Sequence, residues 1–113
     1  MTTARRGEIW MVDLDPTLGH EQAGKRPALV LSVDSFNASP ADLVTVLPVT
    51  SKARAIRTRI PITPPEGGLG LPSYVIAEQA RTISARRLVR ALGRVTPETM
   101  AKVEGVVRVL LGL

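Results

Sequence analysis

The chain contains no cysteine, which excludes a disulfide framework, a thiolate nucleophile and a Cys-based zinc site. It has a single histidine, His20, so no two histidines within one chain can divide acid and base duty. The HExxH, GxSxG and P-loop patterns are absent, which removes the hydrolase and nucleotide-binding classes built on them. No apolar run reaches the roughly 18–20 residues of a membrane span, and residues 1–7 lack the apolar stretch of a signal peptide. The expectation is therefore a cytoplasmic protein with no membrane partner. Asp13 and Asp15 are two residues apart, but with no further carboxylate cluster the turn-forming role of Asp-Pro outweighs a metal site. No metal and no cofactor are expected. Aromatic residues make up 3% of the chain, and Trp10, Phe36 and Tyr74 leave few platforms on which nucleobases could stack.

What the chain does have is apolar residues and positive charge. At 113 residues and 44% apolar side chains it reads as one compact domain spanning residues 1–113, with a single core. Its formal charge of +5 favours an anionic partner such as nucleic acid, although net charge alone speaks to association rather than to a site.

Short apolar runs alternate with turn chemistry. Residues 9–14 read as a strand stopped by Asp15-Pro16. Residues 27–33 form a second strand, apolar continuously and so buried on both faces. Residues 34–37 start a short helical turn. Residues 43–49 give a third strand and 59–63 a fourth, with Ile60 and Ile62 on one face and Pro61 confining it to an edge. The Pro- and Gly-rich stretch 64–72 reads as an exposed loop without regular structure. Residues 74–78 and 88–95 supply two more strands. The period then changes: Thr96 is an N-cap, Pro97 suits the first helical position, and Met100, Val103, Val107, Leu110 and Leu111 recur at helical spacing. Val106 and Val109 widen that stripe beyond what one small barrel needs, so a second subunit is expected on the helix. The pattern is a mainly β protein, a small, strongly curved antiparallel sheet or barrel with a C-terminal helix.

The polar loop 19–27 (Gly-His-Glu-Gln-Ala-Gly-Lys-Arg-Pro) lies between two apolar strands and carries His20. RNA is a substrate that needs neither metal nor cofactor, because its own 2′-hydroxyl can attack the neighbouring phosphorus. The protein must then move protons and stabilise charge on the phosphoryl oxygens. Arg26 suits the second task, since a guanidinium stays charged and can clamp a phosphate through two parallel bonds. His20, Glu21 and Glu78 are candidates for proton transfer. Thr50 and Ser51 offer hydroxyl donors, though taken alone a turn role for them is the commoner one.

Four blocks carry a resemblance. Arg6-Gly-Glu-Ile-Trp-Met-Val-Asp-Leu-Asp-Pro-Thr17, Gly19-His-Glu-Gln-Ala-Gly-Lys-Arg-Pro-Ala-Leu-Val-Leu-Ser32, Val46-Leu-Pro-Val-Thr-Ser51 and Glu78-Gln-Ala-Arg-Thr-Ile-Ser84 resemble the MazF/PemK/Kid family of type II toxins. They stand in the family's order and the similarity covers nearly the whole chain. The resemblance implies an SH3-like barrel (the CcdB/MazF-like architecture) with a C-terminal helix, assembled as a homodimer. It implies a sequence-specific, metal-independent endoribonuclease, acting on single-stranded messenger, transfer or ribosomal RNA. Such an enzyme leaves 2′,3′-cyclic phosphate and 5′-hydroxyl ends, and a cognate antitoxin neutralises it. The catalytic arginine falls on Arg26 and the catalytic threonine on Thr50, with Glu21 matching a glutamate tied to activity. His20 matches the Kid-like branch, in which a histidine helps hold the reacting phosphate. That branch also has an arginine two residues before an aspartate, and here those positions are Ile76 and Glu78. Glu78 can replace the acid; Ile76 cannot replace the arginine.

RNA contact is expected from Gln22, Lys25, Ser51, Lys52, Arg54, Glu78, Gln79 and Thr82. Arg57 and Arg59 extend the basic loop after Thr50, while Arg81, Arg86 and Arg87 form a second cluster with the bland alternative of a solvated face. Two other classes compete with the ribonuclease: a same-fold toxin that binds DNA gyrase, and a non-catalytic RNA-binding barrel.

Overall fold

The computed structural model describes residues 3–15 and 24–113. The elements run β1 (Glu8–Asp13), β2 (Lys25–Val30), α1 (Asp34–Asn37), β3 (Leu43–Thr50), β4 (Arg59–Ile62), β5 (Ser73–Ile76), β6 (Arg81–Ser84), β7 (Leu88–Arg94) and α2 (Pro97–Leu111). The strands lie in the order β4-β5-β3-β2-β1-β7, all antiparallel, with β6 also on β3. This is the mainly β architecture with a terminal helix that the residue pattern predicts. Among the described residues no helix is long and apolar enough to cross a membrane.

Alternation along the central strands divides the core in two. Ile9, Leu29 and Leu47 point to one side, where Ile62, Val75, Val103 and Val107 join them. Trp10, Ala28 and Val46 point to the other, with Val12, Val30, Val44 and Ile83. Side chains two apart share a face, so the unbroken Ala28-Leu29-Val30 run feeds both clusters. Trp10 is 5% exposed and serves packing.

Helix α2 begins as expected: the Thr96 hydroxyl accepts the Thr99 N–H at 3.1 Å, and Pro97 follows at the first turn. It buries Thr99, Val103 and Val107, one stripe at helical spacing. Leu110 and Leu111, expected on that stripe, are instead exposed.

Three other expectations change. Strand β6 had no signal, since Ile83 is its one apolar residue. Glu78, read as the end of a strand, lies in the single turn Ala77–Gln79. The reason is register. Thr50 pairs with Tyr74 and Val46 with Arg81, so four steps along β3 are matched by seven on its partner. Strands β5 and β6 are thus one interrupted strand, and the three extra residues form a turn that leaves the sheet. Insertions of this kind re-aim side chains; here they lift Glu78 and Gln79 off the β3 edge.

The stretch 64–72 is also not a free loop. It holds a single turn at Glu66–Gly68, buries Leu69, and lies so close to β7 that a Cβ on Gly68 would come within 2.0 Å of the Leu92 carbonyl oxygen. Glu66 accepts the N–H of Thr96 at 3.0 Å, tying the stretch to the start of α2.

Candidate active site

Arg26 sits near the start of β2 and Thr50 at the end of β3. The β2–β3 ladder ends at the pair Ala28 and Pro48, and Arg26 and Thr50 each lie two residues beyond that end. Both line a cleft of about 380 Å³ whose other walls are Lys52, Arg54, Ile56, Arg59, Glu78 and Gln79. Four cations face one carboxylate there, a balance that draws in a polyanion. Thr50 is 5% exposed and its Oγ1 accepts the Lys52 N–H at 3.2 Å. A hydroxyl that accepts in this way keeps its own hydrogen to donate.

The carboxylate is tightly held. Glu78 Oε1 accepts the Thr58 hydroxyl at 2.8 Å, and Oε2 accepts Arg59 Nε at 3.3 Å and Nη2 at 3.2 Å. The Arg59 side chain is 7% exposed and that of Glu78 29%, so the guanidinium is buried while the carboxylate still meets water. Burial pulls the Glu78 carboxyl upward; the Thr58 hydroxyl, the backbone of its own turn and the Arg59 guanidinium outweigh it and hold the group below the usual glutamate value. A carboxylate with both oxygens engaged and a lowered pKa is a weak proton acceptor. Glu78 therefore fits the orientation of Arg59 better than the proton transfer expected of it.

Of the predicted site residues, Arg26, Thr50, Lys52, Arg54, Glu78 and Gln79 are brought together in this cleft. Lys25 and Ser51 line an adjoining cavity that shares Arg26 and Thr50 as its wall. Thr82 is elsewhere: it pairs with Thr45, and their hydroxyls meet at 2.7 Å. Thr45 lies roughly 17 Å from Thr50 at about 3.3 Å per strand residue, so the structure does not bring Thr82 into this cleft. His20, Glu21 and Gln22 lie outside the described residues. Asp13 and Asp15 spend carboxylate oxygens on the turn, accepting the N–H groups of Asp15 and Gly24 at 3.1 and 2.8 Å.

Arg59 is what sequence reasoning undervalued. It begins the strand expected at 59–63 and counts with the basic loop before it, but the residue pattern gives it no place at the site. Its place just before the alternating Ile60-Pro61-Ile62 signals a strand residue; its partner is fixed only by pairing across the sheet.

A small antiparallel β fold with one C-terminal helix, and an arginine and a threonine lining one cationic cleft, define the class of protein. The family model of the PemK-like, MazF-like toxin of type II toxin–antitoxin systems matches residues 5–111, and the chain belongs to this family. It is 40% identical over 114 residues to Endoribonuclease MazF9 of Mycobacterium tuberculosis, across 96% of this chain and 97% of that one. Its fold is similar to that of MazF from Deinococcus radiodurans, with a TM-score of 0.90 and 31% identity over 100% of both chains. An endoribonuclease from a mycobacterial species, solved in complex with its cognate antitoxin, matches with a TM-score of 0.78 and 27% identity over 100% of this chain and 97% of that one.

Proposed function

We propose that this toxin is a metal-independent endoribonuclease that cuts single-stranded RNA at a defined sequence by attack of the RNA's own 2′-hydroxyl. The observation that carries this reading is that Arg26 and Thr50 line one cationic cleft. The Arg26 guanidinium spans two phosphoryl oxygens and stabilises the charge that builds on them, while the Thr50 hydroxyl donates to the same group. The 2′-oxygen bonds to phosphorus as the P–O5′ bond breaks. One proton leaves the 2′-hydroxyl to a base and another reaches the departing 5′-oxygen, giving 2′,3′-cyclic phosphate and 5′-hydroxyl ends. His20 and Glu21, in the segment leading to Arg26, are the side chains proposed to move these protons, with Gln79, Lys52 and Arg54 binding RNA.

A single domain over residues 1–113 carries this function and acts in the cytoplasm, where messenger, transfer and ribosomal RNA are found. It works as a homodimer. Exposed Val109 and Leu110 on α2 border an apolar groove of about 590 Å³ against Ile60 and Pro61 of β4, a surface a second copy would cover. A cognate antitoxin restrains it, by an acidic segment that folds over the cationic cleft and bars RNA.

Incubation of purified protein with RNA in EDTA tests the reading. Cleavage leaving cyclic-phosphate ends supports it, and binding without cleavage points instead to a non-catalytic RNA-binding barrel.

A further inference from the structure

Cleavage at a phosphodiester needs room for a nucleotide on each side of it. Arg26 and Thr50 provide this in an unexpected way, because they form a wall shared by two cavities. One is the cationic cleft with Glu78 and Gln79. The other, about 430 Å³, is lined by Pro27 and the segment Leu69-Gly70-Leu71.

We propose that this second cavity is a nucleobase subsite, holding the nucleotide on one side of the scissile phosphate while the Gln79 cleft holds the nucleotide on the other. The proposal rests on the endoribonuclease reading and adds to it a place where sequence preference is set.

The chemistry of the walls differs between the two cavities. Around Gln79 they are charged and polar, whereas the second cavity offers Pro27, Leu69 and Leu71 together with the Lys25 ammonium. An apolar surface beside a cation suits a flat base followed by a phosphate. Leu71 is 62% exposed, an apolar side chain standing in water at the edge of the cavity.

The segment is held as a fixed wall. Gly68 and Gly93 allow it to lie against β7 at distances no side chain would permit, since a Cβ on Gly93 would meet the Gly67 carbonyl carbon at 2.6 Å. Glu66 ties it to the N-terminus of α2. The Ser73 hydroxyl donates to the Leu71 carbonyl at 2.8 Å, fixing the backbone that presents Leu71. A surface placed this firmly can discriminate between bases, because its contacts do not have to be ordered on binding.

The test uses the full chain and short RNAs carrying the cleavage site, in which the base on one side of the scissile phosphate is deleted and the ribose with its 2′-hydroxyl is kept. For one of the two sides, base deletion should lower kcat/KM of the parent about tenfold, and the loss should largely vanish in Leu71→Ala. For the other side, the loss should persist in Leu71→Ala and vanish in Gln79→Ala. Because Leu71 is exposed, its truncation leaves the core intact, and Leu71→Met should restore the parental pattern. If the parent cleaves RNA but Leu71→Ala and the parent lose equally from both deletions, the subsite is wrong. The same holds if the Leu71 and Gln79 variants respond to the same side. If the parent cleaves no RNA under any condition, the endoribonuclease reading itself fails.

Discussion

Arg59 in β4 stands directly across the sheet from Ile76 in β5, and its guanidinium turns from there onto the Glu78 carboxylate. The Kid-like pattern asks for an arginine at the position of Ile76; here the neighbouring strand sets one beside Glu78. Arg59→Ala should lower kcat/KM by about 10- to 100-fold, the scale of one lost charged hydrogen-bonding partner. Glu78→Gln should lower kcat more than it changes KM, since it leaves a side chain of similar shape but frees Arg59 from its orientation. Steady-state kinetics on a short RNA decide both. A Glu78→Gln enzyme with parental kcat would remove Glu78 from any positioning role.

The same pair has a pH signature. Because the folded-state pKa of Glu78 is lowered from the ordinary 4.5, its contribution to stability is complete above that value and is lost as pH falls through the lower folded value. Melting temperatures of the parent and Glu78→Gln should differ by a constant amount from pH 7 to pH 6, and the gap should close below pH 4.5. A gap that widens on acidification would reverse the sign argued here.

Much of this site was readable before any fold. Arg26 and Thr50 flank apolar strands, and it is the family resemblance, not the strand pattern, that joins them. The helix start at Thr96-Pro97 is equally local, a cap and a proline side by side. What could not be read was set by pairing at a distance. Glu78 is lifted into the cleft by an insertion visible only when β5 and β6 are both laid along β3. The stretch 64–72 looks structureless because its order comes from Leu92, Gly93 and Thr96. Thr82 lies close to Gln79 in the chain yet on another part of β3, since β6 has already moved on along that strand.

Charge and geometry at Arg26 can be separated. Arg26→Ala should cost about 10²–10³ in kcat, comparable to removing an oxyanion donor. Arg26→Lys keeps the charge but loses the planar fork, and should recover RNA binding far better than turnover. At position 50, Thr50→Ser should remain active while Thr50→Val, of similar volume, should lose about 10- to 100-fold. Single-turnover cleavage together with RNA affinity distinguishes these effects. Equal turnover of Thr50→Val and the parent would show that the hydroxyl has no part in the reaction.

Lys52 and Arg54 line the cleft on an exposed stretch of chain, where their contribution to RNA binding is electrostatic. Log affinity should fall linearly with log salt, and Lys52→Ala or Arg54→Ala should each flatten that slope by about 0.7, the value for one phosphate contact on a single strand. Titrations of a non-cleavable RNA at several salt concentrations measure it. A slope unchanged in both variants would place the RNA backbone elsewhere.

The exposed face of α2 makes the last prediction. Val109 is 84% exposed, and among the described residues nothing outside the adjoining helix backbone lies within 4 Å of where a Cβ on Gly105 would stand, so this face of the helix borders open space beside β4. Closing it with a second copy would bury Val109, Leu110 and Pro61 together. Val109→Asp would place a carboxylate in that seam, where burial without a partner is costly, while barely affecting the isolated fold. Light scattering should find the parent at twice the 12.1 kDa chain mass and Val109→Asp at the single mass. Arg59 lines both this groove and the cationic cleft, so the seam runs beside the reaction site. Loss of the dimer should therefore lower kcat/KM as well, and concentrating the variant should restore mass and activity in parallel. A variant that is monomeric yet cuts RNA at the parental rate would confine the site to one protomer.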